Sequence, residues 1–228
     1  MKTTRISPDT LQLTRFGLVN AFLVREDDGF TLVDAMIKGS DEGLIEAAGE
    51  AGAPIKRIVI THAHNDHYGS LAALAAQLPE AELIASTRDA RLMKGDKTPE
   101  PDEAEGKLRV PFPDLGIEFE RLVDEGDRIG SLEVVAAPGH SPGQIALLDT
   151  RDRGLIAADA YTSLGGLATS AGPYWKFPLP GFVTWHRPTA LESAKKLHSR
   201  EPAWLAVGHG KPVKDPGPEM EKAIARSS

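Results

Sequence analysis

Thr61-His62-Ala63-His64-Asn65-Asp66-His67 places four metal-capable side chains within six residues, directly after the apolar run Ile58-Val59-Ile60. On a continuous helix, which turns about 100° per residue, His62 and His64 would point nearly apart. The spacing therefore predicts a loop leaving a strand. Such a loop can wrap His62, His64, Asp66 and His67 around one or two cations, using imidazole nitrogens and a carboxylate as ligands. A lone histidine is ordinary in a surface turn or a core, but a cluster of this density points to a metal site.

With 228 residues, 41% of them hydrophobic, the chain can bury a sizeable core. No low-complexity linker divides it, so one domain over residues 1–228 is expected. A net charge of −7 and a pI near 5.5 provide no overall basic field, which disfavours a nucleic-acid partner. The absence of cysteine excludes disulfides, thiolate nucleophiles and sulfur-ligated metal, leaving nitrogen and oxygen as ligand atoms. The first eight residues lack the apolar core of a signal peptide, and no stretch is long and apolar enough to span a bilayer. A cytoplasmic protein with a small-molecule substrate, no membrane partner and room for a homodimer is the expectation.

Short apolar runs bounded by Gly, Asp or Pro predict strands at Ala21–Val24, Thr31–Val33, Ile55–Ile60, Glu82–Ala85, Leu132–Ala136, Ile145–Leu148, Leu155–Ala158 and Trp204–Val207. Helical periodicity predicts Asp41–Ala51, Ser70–Gln77, Thr87–Met93, Pro188–Ser199 and Glu219–Ala225. Interleaved strands and helices indicate an α/β protein.

One arrangement recurs, an apolar strand ending in a histidine or aspartate. Ile58-Val59-Ile60 leads to His62, Val134-Val135-Ala136 to His140, Leu155-Ile156-Ala157-Ala158 to Asp159, and Leu205-Ala206-Val207 to His209. Because α/β proteins build sites in loops at the carboxyl ends of strands, these four ends are expected to converge on one edge. His186 and His198 fall in or near a predicted helix and read as surface or packing residues.

This pattern resembles the metallo-β-lactamase-fold hydrolases. The stretch from His62 to His67 is similar to their His-x-His-x-Asp-His signature, and Pro138-Gly139-His140-Ser141-Pro142-Gly143 to their next ligand loop. Asp159 and Gly208-His209-Gly210 follow in the same order. The resemblance implies a four-layer αβ/βα sandwich: two mixed sheets face to face, with helices on both outer faces and a metal site along one edge. It further implies two divalent ions. One would be held by His62, His64 and His140, the other by Asp66, His67 and His209, with Asp159 bridging. Asp34 would orient the ligand loop from behind. Zinc is the family's usual metal, while manganese, iron or cobalt also suit nitrogen and oxygen ligands. The implied reaction is attack by a metal-bridging hydroxide on a small carboxylic ester, lactone or thioester, with Asp66 available for proton transfer.

Departures from subfamilies narrow the substrate. Asp159 takes the place of a cysteine or serine found at comparable positions in many β-lactamases. The 19 residues after His209 are too few for the helical glutathione-binding extension of glyoxalase II. Lactonases fit best in size and ligand set. The rival readings are a mononuclear iron sulfur dioxygenase, a β-lactamase, and a non-catalytic metal-binding module of the same fold.

Tyr161, two residues after Asp159, is similar to a tyrosine that some lactonases place near the metals, though the spacing differs by one residue. Nearly half of the chain's aromatic residues fall between Asp159 and Pro188. An aromatic-rich loop of this length predicts an apolar substrate pocket built with Tyr161, Tyr174, Trp175 and Phe177. The charged, proline-rich segment from Lys94 to Pro113 is a second candidate, as a gate.

Overall fold

Alternation of side chains along the strands sorts the apolar residues onto two buried faces. The computed structural model describes residues 1–227. The first sheet contains β1 (Lys2–Arg5), β2 (Thr10–Arg15), β3 (Val19–Glu26), β4 (Gly29–Val33), β5 (Ile55–Ile60), β6 (Glu82–Ser86) and β7 (Arg121–Val123), in that spatial order. Pairing is antiparallel from β1 to β4 and parallel from β4 to β7. The second sheet begins with β8 (Arg128–Ile129), β9 (Leu132–Ala136), β10 (Ile145–Asp149) and β11 (Gly154–Ile156). After a small ribbon of β12 (Tyr161–Thr162) and β13 (Ala168–Thr169), it is completed by β14 (Trp204–Ala206) and β15 (Val213–Lys214). Its order is β15-β14-β11-β10-β9-β8, with the β11–β14 pair parallel and the others antiparallel.

On β3, Phe22 and Val24 face the second sheet while Ala21 and Leu23 belong to the outer core of the first. Val59 of β5 likewise points inward, between Ile58 and Ile60, which point outward. From the second sheet, Leu132, Val134, Ile145, Leu147 and Ile156 complete the inner core. Both faces of each sheet are therefore buried, which explains the near-continuous apolar runs. Fully burying each large side chain contributes about 1.5–3 kcal/mol.

Helices α1 (Asp41–Glu50), α2 (Asn65–Tyr68), α3 (Leu71–Gln77) and α4 (Thr87–Met93) lie in the β4–β7 region. Leu44, Leu71, Leu74 and Leu92 cover the outer face of the first sheet. After α5 (Leu179–Val183), α6 (Arg187–His198) and α7 (Gly217–Ala225) place Ala194, Leu197 and Met220 on the outer face of the second. The four-layer expectation holds. No helix among the described residues is long and apolar enough to cross a membrane.

Two expectations need correction. The signature segment is a loop only through His64, because Asp66 and His67 ride on the single turn of α2. That turn forms where the His64 carbonyl accepts from the N–H groups of His67 at 2.9 Å and Tyr68 at 3.1 Å. The strand expected to reach Ala158 stops at Ile156, because Ala158 enters the left-handed region at φ 45° and begins a 3₁₀ turn over Ala158–Ala160.

Phe22 is fully buried between the sheets, whereas Leu122 on β7 is 50% exposed. Phe22→Ala should lower unfolding stability by about 3–5 kcal/mol in urea titrations. Leu122→Ala should change it by less than about 0.5 kcal/mol. Equal losses would contradict this assignment of the inner core.

Candidate metal centre

The carboxyl ends of β5, β9, β11 and β14 meet at one edge shared by the two sheets. Backbone bonds tie them: Ile145 N donates to Thr61 O at 3.0 Å, and Asn20 N to Gly208 O at 2.9 Å. His62 and His64 leave β5, and Asp66 and His67 sit on α2. His140 lies in the turn after β9, Asp159 in the 3₁₀ turn after β11, and His209 after β14. All seven sequence-predicted ligand residues thus come together. His62, His64 and His140 offer ligand atoms within 4.8 Å of one another, as do Asp66, His67 and His209, and a third set is His62, His67 and Asp159. The Asp159 carboxylate stands between the clusters, 3.4 Å from His140 Nε2, 3.5 Å from His67 Nε2 and 3.1 Å from His209 Nε2.

Hydrogen bonds fix which imidazole nitrogen faces inward. Thr184 Oγ1 donates to the carbonyls of Ser170 and Pro180, so it can only accept from His140 Nδ1, 3.1 Å away. Thr61 Oγ1 donates to Asp34 and accepts in the same way from His62 Nδ1 at 3.1 Å. Asp34 accepts from His67 Nδ1 at 2.7 Å, and Leu18 O from His209 Nδ1 at 2.9 Å. In the neutral tautomers that these bonds select, the Nε2 lone pairs of His62, His67, His140 and His209 are aimed at the centre. The Nε2 atoms of His62, His67 and His140, together with Asp159 Oδ1, are buried without any hydrogen-bond partner. Buried polar atoms are ordinarily paired, so these converging lone pairs fit divalent cations.

Asp34 stands behind the candidate ligands. Its backbone is left-handed at φ 65°, a conformation that Asp tolerates, and Oδ1 also accepts from Thr61 N at 2.8 Å. Burial, followed by the neighbouring imidazoles, keeps His62 well below its ordinary pKa. Burial also lowers His64 to about 3 and His140 to about 4, so both stand in the neutral form that binds metal. Burial opposes protonation of His67 and His209 too, but nearby carboxylates outweigh it, Asp34 foremost for His67 and Asp159 for His209. They raise His67 well above its usual range and His209 to about 10. Despite burial, those imidazoles hold Asp66 and Asp159 below the carboxylate range. The carboxylates thus attract positive charge to the place where a cation would sit.

Several supporting groups carry no local signal of their role in the sequence. Asn20 Nδ2 donates to Val207 O and Gly210 O at 2.8 Å, steadying the His209 turn. Thr184 and the Leu18 carbonyl are invisible to motif spacing because their partners lie far along the chain. His186 caps α6 by accepting from Thr189 N, and His198 lies in the last turn of that helix, both away from the centre as expected.

Above the centre lies a cavity of about 360 Å³, reached by His64, Asp66, His140, Asp159 and His209. Of the four predicted pocket residues only Phe177 lines it, with its ring 5.4 Å from that of His209. Tyr161 is instead a packing residue: its ring is buried and its hydroxyl donates to Ala194 O at 2.8 Å. Tyr174 turns away to donate to Gly165 O at 3.0 Å, and Trp175 is 80% exposed beside Lys176. The walls come mainly from the β2–β3 turn (Phe16, Leu18), Val110, and Leu179 and Val183 of α5. The segment expected to gate the site is pinned through Arg88–Glu103 and through Arg109 Nε, which donates to Thr184 O at 3.1 Å.

A histidine and aspartate centre at the joined edge of two packed sheets defines a metal-dependent hydrolase. The chain belongs to the metallo-β-lactamase superfamily, whose family model matches residues 14–209. It is 41% identical to the uncharacterized protein YobT of Bacillus subtilis (strain 168), over 95% of this chain and 94% of that one. It is 29% identical to the probable metallo-hydrolase YflN of the same strain, covering 86% and 82% of the two chains. The structure of a metallo-β-lactamase from Pontibacter korlensis superposes with a TM-score of 0.71 at 18% identity, covering 98% of this chain and 97% of that one.

Gly208 precedes His209, and a Cβ there would enter the space of Asp159 Oδ1 and His67 Cε1. Gly208→Ala should weaken divalent-ion binding about 10-fold or more, measured with zinc as the probe in competition with a chromophoric chelator. Gly49→Ala, where a Cβ meets open space on α1, should leave zinc binding unchanged. Equal affinities in the two variants would refute this packing account.

Proposed function

We propose that the chain is a two-metal hydrolase of small, uncharged, apolar carboxylic esters, lactones or thioesters. The observation that carries this reading is the set of unpartnered, inward-facing ligand atoms beneath an apolar cavity. His62, His64 and His140 would hold one ion and Asp66, His67 and His209 the other, with Asp159 shared. When bound, divalent cations, zinc being the family's usual choice, polarise a carbonyl and lower the pKa of a water to roughly 7.

The chain's own groups supply orientation and proton handling. Asp66 is the most exposed of the candidate ligands, with 38% of its side chain accessible, and it borders the cavity. Held ionised by His67 and His209 against the opposing effect of burial, it is placed at the cavity edge to take a proton from the tetrahedral adduct and pass it to the leaving oxygen or sulfur as that bond breaks. Phe177, Leu179, Val183 and Val110 exclude water and bind the apolar part of the substrate.

Charge narrows the substrate class further. No lysine or arginine lines the cavity among the described residues, so a carboxylate on the substrate finds no ammonium or guanidinium group there to pair with. That disfavours β-lactams and glutathione thioesters, both of which carry carboxylates, relative to neutral lactones and esters.

A pH-indicator screen of zinc-loaded protein should give kcat/KM about 10-fold higher for a neutral alkyl lactone or ester than for its ω-carboxylate analogue. Activity confined to phosphodiesters, or full turnover by metal-free protein, would overturn the proposal. Phe177→Ala should raise KM for the neutral substrate several-fold with kcat little changed, while Trp175→Ala should leave both unchanged. The reverse pattern would return Trp175 to the pocket wall.

A further inference from the structure

We propose that Asp89 is the positioning residue that assembles the His62, His64 and His140 cluster, by clamping together two ligand loops that belong to different sheets. The inference rests on the metal-binding reading above. Asp89 lies in the first turn of α4 and is fully buried. Its Oδ2 accepts from Ala63 N at 2.8 Å and from Ser141 Oγ at 2.5 Å, and its Oδ1 accepts from Gly143 N at 2.7 Å. Ala63 sits between His62 and His64, and Ser141 follows His140 directly. One carboxylate therefore grips the peptide between two ligands on the first sheet and the turn that carries the third ligand on the second.

Neither the core nor the helix requires a carboxylate here. Ser86 already caps α4 by accepting from Asp89 N at 3.2 Å, and the Asp89 side chain turns away from the helix end toward the ligand loops. The loops fit closely around it: a Cβ at Gly143 would lie 2.7 Å from Asp89 Oδ1. An amide cannot replace the carboxylate. Whichever way an asparagine is turned, its NH₂ faces either the Gly143 N–H or the Ala63 N–H. Donor would meet donor in a buried site, and one loop would be released.

The second cluster is held by other groups. Asp34 fixes His67, and the Leu18 carbonyl fixes His209. Asp34 reaches both clusters, through His67 and through Thr61 to His62, but Asp89 bonds to neither Asp66, His67 nor His209, so its effect is expected to be confined to the first cluster.

The test uses single-cluster backgrounds. His209→Ala keeps the His62, His64 and His140 set, and His140→Ala keeps the Asp66, His67 and His209 set. Zinc affinity is read by competition with a chromophoric chelator, and the melting temperature of the metal-free protein is read in parallel. Asp89→Asn should weaken zinc binding about 10- to 100-fold in the His209→Ala background and less than about threefold in the His140→Ala background. Ser141→Ala, which removes one of the three donors and keeps the carboxylate, should give a smaller loss in the same background. That milder variant carries the test if Asp89→Asn fails to fold. Equal losses in both backgrounds, accompanied by a lower metal-free melting temperature, would make Asp89 a general stabiliser and overturn the proposal. Unchanged affinity in both backgrounds would overturn it as well. Failure of the wild-type protein to bind zinc would instead remove the metal reading, and this proposal with it.

Discussion

The backbone bond from Ile145 N to Thr61 O joins the second sheet to the first at the point where the ligand loops leave their strands. Everything in the centre depends on that junction. The sheets pack through inward-facing apolar side chains, which by themselves do not align the strand ends. A sliding of one residue in either sheet would exchange the inner and outer faces of its strands. The alternation of Phe22 with Leu23, and of Val134 with Val135, therefore fixes register as well as core composition. The edge bonds then convert that register into a fixed relation between His62 and His140, whose rings lie 5.1 Å apart.

Assembling the centre costs stability. A buried polar atom without a partner costs about 1–3 kcal/mol, and several converge here. The outward-facing nitrogens of His62, His67, His140 and His209 are each engaged by a hydroxyl, a carboxylate or a carbonyl, which holds these four rings against rotation. The supporting hydrogen bonds thus maintain the unsatisfied state that a cation would resolve. Metal binding and folding are coupled for this reason, since a ligand that binds only the folded chain stabilises it.

The ligand residues and the sheet core were legible in the sequence because each has a local signal. Closely spaced histidines follow an apolar run, and doubly buried strands leave uninterrupted runs such as Ile58-Val59-Ile60. Edge and short strands were not legible. β1 is largely exposed and reads Lys-Thr-Thr-Arg, while β2 buries Thr10 and Gln12 among its apolar residues, so neither shows a clean period. Asp89 stayed hidden for a different reason. The Ser86-x-x-Asp89 spacing suits a helix N-terminus, and only the tertiary structure brings its carboxylate to partners 26 and 54 residues away.

Tyr161, Tyr174 and Trp175 show why the cavity was harder to anticipate than the centre. Aromatic content marks a segment as one that must bury rings, but it does not say against what. Tyr161 is buried against α6, and Tyr174 faces the Gly165 turn, whereas Leu18 and Val110 arrive at the cavity from segments that carry a single aromatic ring each, Phe16 and Phe112. Ligands stand at strand ends, where the sheets dictate position. The walls come from a hairpin turn, an irregular strap and the short helix α5, none of which is set by sheet register. Substitutions at Phe16, Val110 or Leu179 can therefore reshape what the cavity accepts without moving the imidazoles, because no hydrogen bond of the centre passes through those side chains. Phe16, Val110 and Leu179 are in this sense separable from the candidate ligands, and such a separation lets one arrangement of ligands serve different substrates.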